Sequence, residues 1–323
     1  MIMLGAAALS LALALRAPLT VTVLGLLLFG VLHNVLEIRY VAGRFAAVLT
    51  GRFLVLLLAL TSGIALCRLT AQWWPSPARL AEVAIGYLIL AAGCWIGLRG
   101  WWRLVGCAIL GVAAYASFSY PAYHFVVLTH LHNLVPLIFL WDWASRIRQP
   151  RARLAFRLTQ LLWIIALPVL ILAGGLDRWI SATPGIAARF VGDGSRIIAA
   201  AAPPEAVATM GVRFLVVFAL LQTMHYVVWV GFLPRYAPEA AAAFDARVPW
   251  LRGRRARMVG IVAGAFFTIL FLSDYFAGRA LYGALATYHA YLEFPVLLAL
   301  IMAPRALTRP ADPQDLALSP SSR

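Results

Sequence analysis

The sequence contains no lysine; all 27 of its basic residues are arginine. Without a lysine amine there is no Schiff base, which excludes a covalently held retinal. The phosphate-loop lysine is excluded with it, so nucleotide hydrolysis by that route is not available to this chain. Charge of either sign is scarce: 12% of the 323 residues are Asp, Glu, Lys or Arg, about half the share of a soluble domain. Cysteine is scarcer. Cys67, Cys94 and Cys107 lie scattered in apolar sequence with no CxxC pair, and read as packing residues. The N-terminus lacks the basic region and small-residue cleavage site of a signal peptide, so Met1–Leu15 is expected to be retained.

What fills the chain instead is apolar sequence. Hydrophobic residues make up 63%, and the mean hydropathy is +0.87. Ten apolar runs follow one another at about 2–15, 19–38, 53–72, 80–98, 104–119, 123–143, 158–175, 207–233, 258–276 and 280–303. Only helices and closed barrels satisfy their backbone in lipid, and runs near 20 residues have helix length. The expected fold is all-α: a polytopic integral membrane bundle of about ten helices, one domain over 1–303, with a polar, disordered cytoplasmic tail over 304–323. Nineteen of the 27 arginines fall in the tail or in loops after even-numbered runs. By the positive-inside rule both termini are then cytoplasmic, with a bacterial inner membrane as the expected location. The net charge of +15 follows from those loops facing anionic lipid, and no nucleic-acid partner is expected. The loop 176–205 carries no nameable motif, although it has room for an interfacial turn or two.

All six histidines fall on four of the ten runs, and those four share one direction. Similar phrases carry them: LHNVLE at 32–37, LHNLVP at 131–136, MHYVVW at 224–229 and YHAYLE at 288–293. Residues four apart share a helical face, so His33/Glu37 and His289/Glu293 each present an imidazole and a carboxylate to one point. Ionisable groups at membrane depth are expensive and usually functional. His33, His130, His132, His225 and His289 are therefore the expected metal ligands, with Glu37 and Glu293 as ligand or proton acceptor. Such a set suits a divalent metal, iron ahead of zinc or manganese. Axial ligation of haem is the alternative cofactor, and a proton-coupled transporter the alternative activity. A lone membrane histidine also serves simply to bond a neighbouring helix, and His124 sits near the outer end, within reach of water.

Depth is the difficulty. At about 1.5 Å per residue, His33 lies about 8 Å from the cytoplasmic end of its run, but His132 and His289 about 17–21 Å from theirs. Further charges within or beside the runs are Asp142, Asp274, Arg213 and Arg279. Asp142, between Trp141 and Trp143, marks an interface. Asp274 reads either as a partner of Arg279 or as an orienter of a histidine.

The order of the histidine phrases resembles that of the bacterial membrane β-carotene-cleaving dioxygenases, which are polytopic, iron-dependent and histidine-ligated. AYHF at 122–125 is similar to their second histidine phrase. The early phrase HNVLE lacks their glycine and aspartate, and MHYVVW lacks the paired histidine of their third. No family is assigned on these phrases. The HxxxH and HxxHH boxes of membrane desaturases are absent. The expected activity is a metal-dependent oxidoreductase acting on a lipophilic small molecule that enters from the lipid bilayer.

Overall fold

The computed structural model describes residues 2–181, 183 and 185–302, with side chains described as far as Glu293. The expected tail, 304–323, lies outside the described residues. The described chain is helical throughout, with no strand. Its main rods are α1 Ile2–Arg16, α2 Pro18–Arg44, α3 Gly51–Thr70, α4 Pro75–Gly97, α5 Trp102–Ser119, α6 Pro121–Ala144, α7 Pro150–Leu172, α8 Ala208–Tyr236, α9 Arg254–Ser273 and α10 Tyr275–Met302. Eight of these, α2 to α9, are long and apolar enough to cross a membrane. The protein is an all-α membrane bundle. The outward faces fit that reading: Ile109, Val112 and Tyr115 of α5 are exposed, and no residue of that helix is buried.

Proline sets many of the boundaries. Pro75, Pro121 and Pro150 open helices, where the missing N–H would have had no partner anyway. Inside α6, Pro136 cannot donate to the His132 carbonyl; Val135 N–H donates to it instead at 3.2 Å, tightening one turn just after His132. Ahead of Pro168 in α7 and Pro234 in α8 the chain widens into single π-turns, Leu162–Ala166 and Val227–Phe232. Such bulges keep the backbone paired around an inserted residue.

The contacts divide the chain into two compact units. The first comprises residues 1–33, 120–233 and 260–282. Its centre is α8, two-thirds of whose apolar window is buried. α1 packs on α8; Met3, Ala7, Ser10, Ala14 and Leu15 are its buried residues, three of them small, and Ser10 Oγ donates to Met224 Sδ at 3.5 Å. Phe139, Trp163, Leu220 and Trp229 fill the core. The loop after α7 adds two short helices, Ala188–Val191 and Ser195–Ala201, the second packed on α6 and α8.

The second unit comprises residues 34–119, 234–259 and 283–323. α3, α4 and α5 pack in sequence order. The 234–259 segment is held to α2 by a two-pronged ion pair: Arg39 Nε and Nη2 donate to Asp245 Oδ1 and Oδ2 at 2.9 and 2.5 Å. Gly43 meets the backbone of Ala240 so closely that a Cβ there would stand 1.9 Å from its carbonyl oxygen. α2 runs through the division at His33/Asn34 as one unbroken helix.

Candidate functional site

α2 is longer than its apolar run, and this removes the depth discrepancy. α2 continues past the expected end at residue 38 to Arg44, so His33 lies about 16 Å from its helix end at about 1.5 Å per residue. Counted the same way along their own helices, His132, His225 and His289 lie about 16–20 Å from Ala144, Tyr236 and Met302. The polar stretch EIRYVAGR extends α2 as a helix beyond its apolar part.

Three histidines from three helices converge in the first unit. The rings of His33 and His225 lie 5.2 Å apart edge to face, and those of His132 and His225 4.7 Å apart. His33 and His225 are buried. Tyr226 packs on the His33 ring at 4.7 Å, and Trp229 flanks His225 at 6.2 Å. His33 Nδ1 lies 3.1 Å from the Phe29 carbonyl of its own helix. A carbonyl only accepts, so Nδ1 carries the proton and Nε2 is the lone-pair nitrogen. This is how an outer partner fixes the tautomer of a metal-binding imidazole.

One turn along the same helix from His33 stands Glu37, fully buried. Ligand atoms of His33, Glu37, His132 and His225 all lie within 4.8 Å of one another. With metal–nitrogen and metal–oxygen bonds of about 2.0–2.2 Å, two ligands of one ion would stand at most about 4.4 Å apart. The set therefore fits one ion with a contraction of a few tenths of an ångström. Nitrogen with carboxylate oxygen is a donor set for iron, manganese or zinc.

The other expected ligands are placed differently. His289 and Glu293 are buried on α10 but are not part of that four-residue group. The carboxyl groups of Glu37 and Glu293 interact, and two buried carboxyls in contact need a proton or a cation between them. His130 stands apart: its Nε2 donates to the Ala201 carbonyl at 2.7 Å, tying α6 to the Ser195–Ala201 helix. Residues two apart on a helix face different ways, so α6 commits His132 to the cluster and His130 to the loop. Asp274 is no partner of a histidine either; its Oδ1 accepts from the N–H groups of Phe276 and Ala277 at 2.9 and 3.0 Å, capping α10. Arg213 pairs with Asp177, which the guanidinium and its hydrogen bonds hold below the usual carboxylate range.

A second polar cluster, in the second unit, escaped the reading of the sequence. Arg68 Nε and Nη2 both donate to Glu82 Oε1, at 2.9 and 2.7 Å. Tyr291 donates to the same oxygen at 3.2 Å, and Arg68 Nη1 donates to the Gly283 carbonyl at 2.8 Å. The guanidinium also lies over the Tyr291 ring at 5.7 Å. A signal existed: a turn of only four residues joins α3 to α4, and Arg68 and Glu82 lie near its two sides. They fold together as an antiparallel pair.

Compared with known protein families, curated proteins and solved structures, the chain matches none.

Proposed function

We propose that the protein is a membrane-embedded, metal-dependent oxidoreductase acting on a lipophilic small molecule. The observation that carries this reading is the convergence of His33, Glu37, His132 and His225. Three neutral imidazoles and one carboxylate would hold the ion, iron being preferred. When bound, such an ion supplies Lewis acidity and redox capacity at mid-membrane depth. His33 is oriented for ligation by the Phe29 carbonyl, and Glu293 stands against Glu37 as a proton acceptor. Tyr226 and Trp229 exclude water from the imidazoles. The closeness of the rings favours a single ion over haem, whose macrocycle needs a slot between axial ligands. The arginine bias supports cytoplasmic termini in a bacterial inner membrane.

The Glu37–Glu293 contact favours a second reading, a proton-coupled transporter. Elemental analysis of the purified protein separates the two. The oxidoreductase reading expects near-stoichiometric iron, lost in His132→Ala and His225→Ala and kept in His130→Ala. Fully active wild-type protein containing no transition metal would overturn it.

A further inference from the structure

Where the arginine-rich segment enters α9, the protein forms an open cavity of about 790 Å³. Its mouth carries Arg252, Arg254 and Arg255, all exposed, and its wall carries Trp250 and Met258. Among the described residues the one acidic side chain lining it, Asp245, is already engaged: Arg39 holds both its oxygens, and the Gly253 N–H donates to Oδ2 at 3.2 Å. The three guanidinium groups are thus not neutralised by that carboxylate. Guanidinium groups bind phosphate oxygens in a two-pronged fashion. An exposed tryptophan beside arginines at the start of a spanning helix marks the membrane–water boundary. From there the exposed Met258, Ile261 and Val262 continue down α9, an apolar track leading away from the cationic mouth.

We infer that this cavity is a binding site for one anionic phospholipid, its phosphodiester held by Arg252, Arg254 and Arg255 and one acyl chain laid along α9 from Met258. Charge complementarity selects an anionic headgroup, and the apolar track selects a lipid over free phosphate. None of the residues lining the cavity belongs to the His33, Glu37, His132 and His225 group. Each arginine near an anionic surface contributes roughly fivefold, so three together give a preference on the order of a hundredfold over a zwitterionic lipid.

The test is native mass spectrometry of the full chain released from detergent, titrated with phosphatidylglycerol, phosphatidylcholine or inorganic phosphate. One phosphatidylglycerol is expected to be retained much more tightly than phosphatidylcholine, and millimolar phosphate should not displace it. The triple variant Arg252→Gln/Arg254→Gln/Arg255→Gln should bring its affinity close to that of phosphatidylcholine, while Arg146→Gln/Arg148→Gln/Arg151→Gln should retain it. Met258→Glu leaves the guanidinium groups in place and should also weaken retention. Equal retention of the two lipids, displacement by phosphate, an equal loss in the control triple variant, or unchanged retention in both cavity variants would each overturn the proposal.

Discussion

Removing the Glu82 carboxylate tests how the helical hairpin of α3 and α4 is held. Three donors meet at one oxygen, Oε1: two from Arg68 and one from Tyr291. Glu82→Ala leaves a guanidinium and a phenol facing a void in an apolar setting. Breaking a buried ion pair from one side costs about 3–5 kcal/mol. The Arg68 side chain keeps 25% of its exposure, which places the cost at the lower end, about 3 kcal/mol. At about 2–4 °C per kcal/mol the midpoint falls by about 6–12 °C. The double replacement Arg68→Met/Glu82→Leu removes both charges and should restore most of that loss, since apolar pairs of similar volume often match a buried ion pair. Thermal unfolding of purified protein, followed by size-exclusion profile after heating, reads both variants. Glu82→Ala melting within about 2 °C of wild type, or a double variant no more stable than Glu82→Ala, would refute this account.

His130→Ala should leave metal content unchanged yet cost about 1–2 kcal/mol, because the Ala201 carbonyl loses its donor; limited proteolysis of the loop after α7 should quicken. Gly43→Ala forces a Cβ to 1.9 Å from a backbone oxygen, and a melting curve should show a loss of more than about 2 kcal/mol, whereas Gly5→Ala, inside α1 with open space around it, should be neutral to slightly stabilising. Asp177 is held ionised by Arg213, so its tether is fully present at neutral pH and is lost as pH falls through its lowered value. Hydrogen exchange at residues 173–181, corrected for intrinsic rate, should rise only below about pH 4, the ordinary carboxylate range, and Asp177→Asn should abolish that dependence.

Much of this fold is legible in the sequence because the bilayer imposes so narrow a choice. Each apolar run becomes a helix, and proline marks where several begin. Length was the less readable quantity. The end of α2 is polar, and hydropathy stops at residue 38 while the hydrogen-bonded helix continues to Arg44; that misplaced His33 in depth. The convergence of His33, His132 and His225 followed from histidines confined to co-directional helices. Which neighbour joined them did not. His130 and His132 are indistinguishable by type, and only the facing Ala201 carbonyl separates their tasks. Neither Arg68 nor Glu82 stands out in the sequence, because pairing across a hairpin depends on how two helices face each other rather than on either helix alone.

The π-turn at Val227–Phe232 has a bearing on mutational tolerance. It holds one residue more than a regular helical turn, and a single residue amounts to about 100° of rotation. A bulge of this kind can migrate or be absorbed, taking up a one-residue insertion or deletion in the Leu233–Tyr236 stretch. His225 lies on its far side, so its imidazole keeps its aim while the chain beyond is lengthened or trimmed. α8 thereby carries its own slip joint between His225 and the end of the helix.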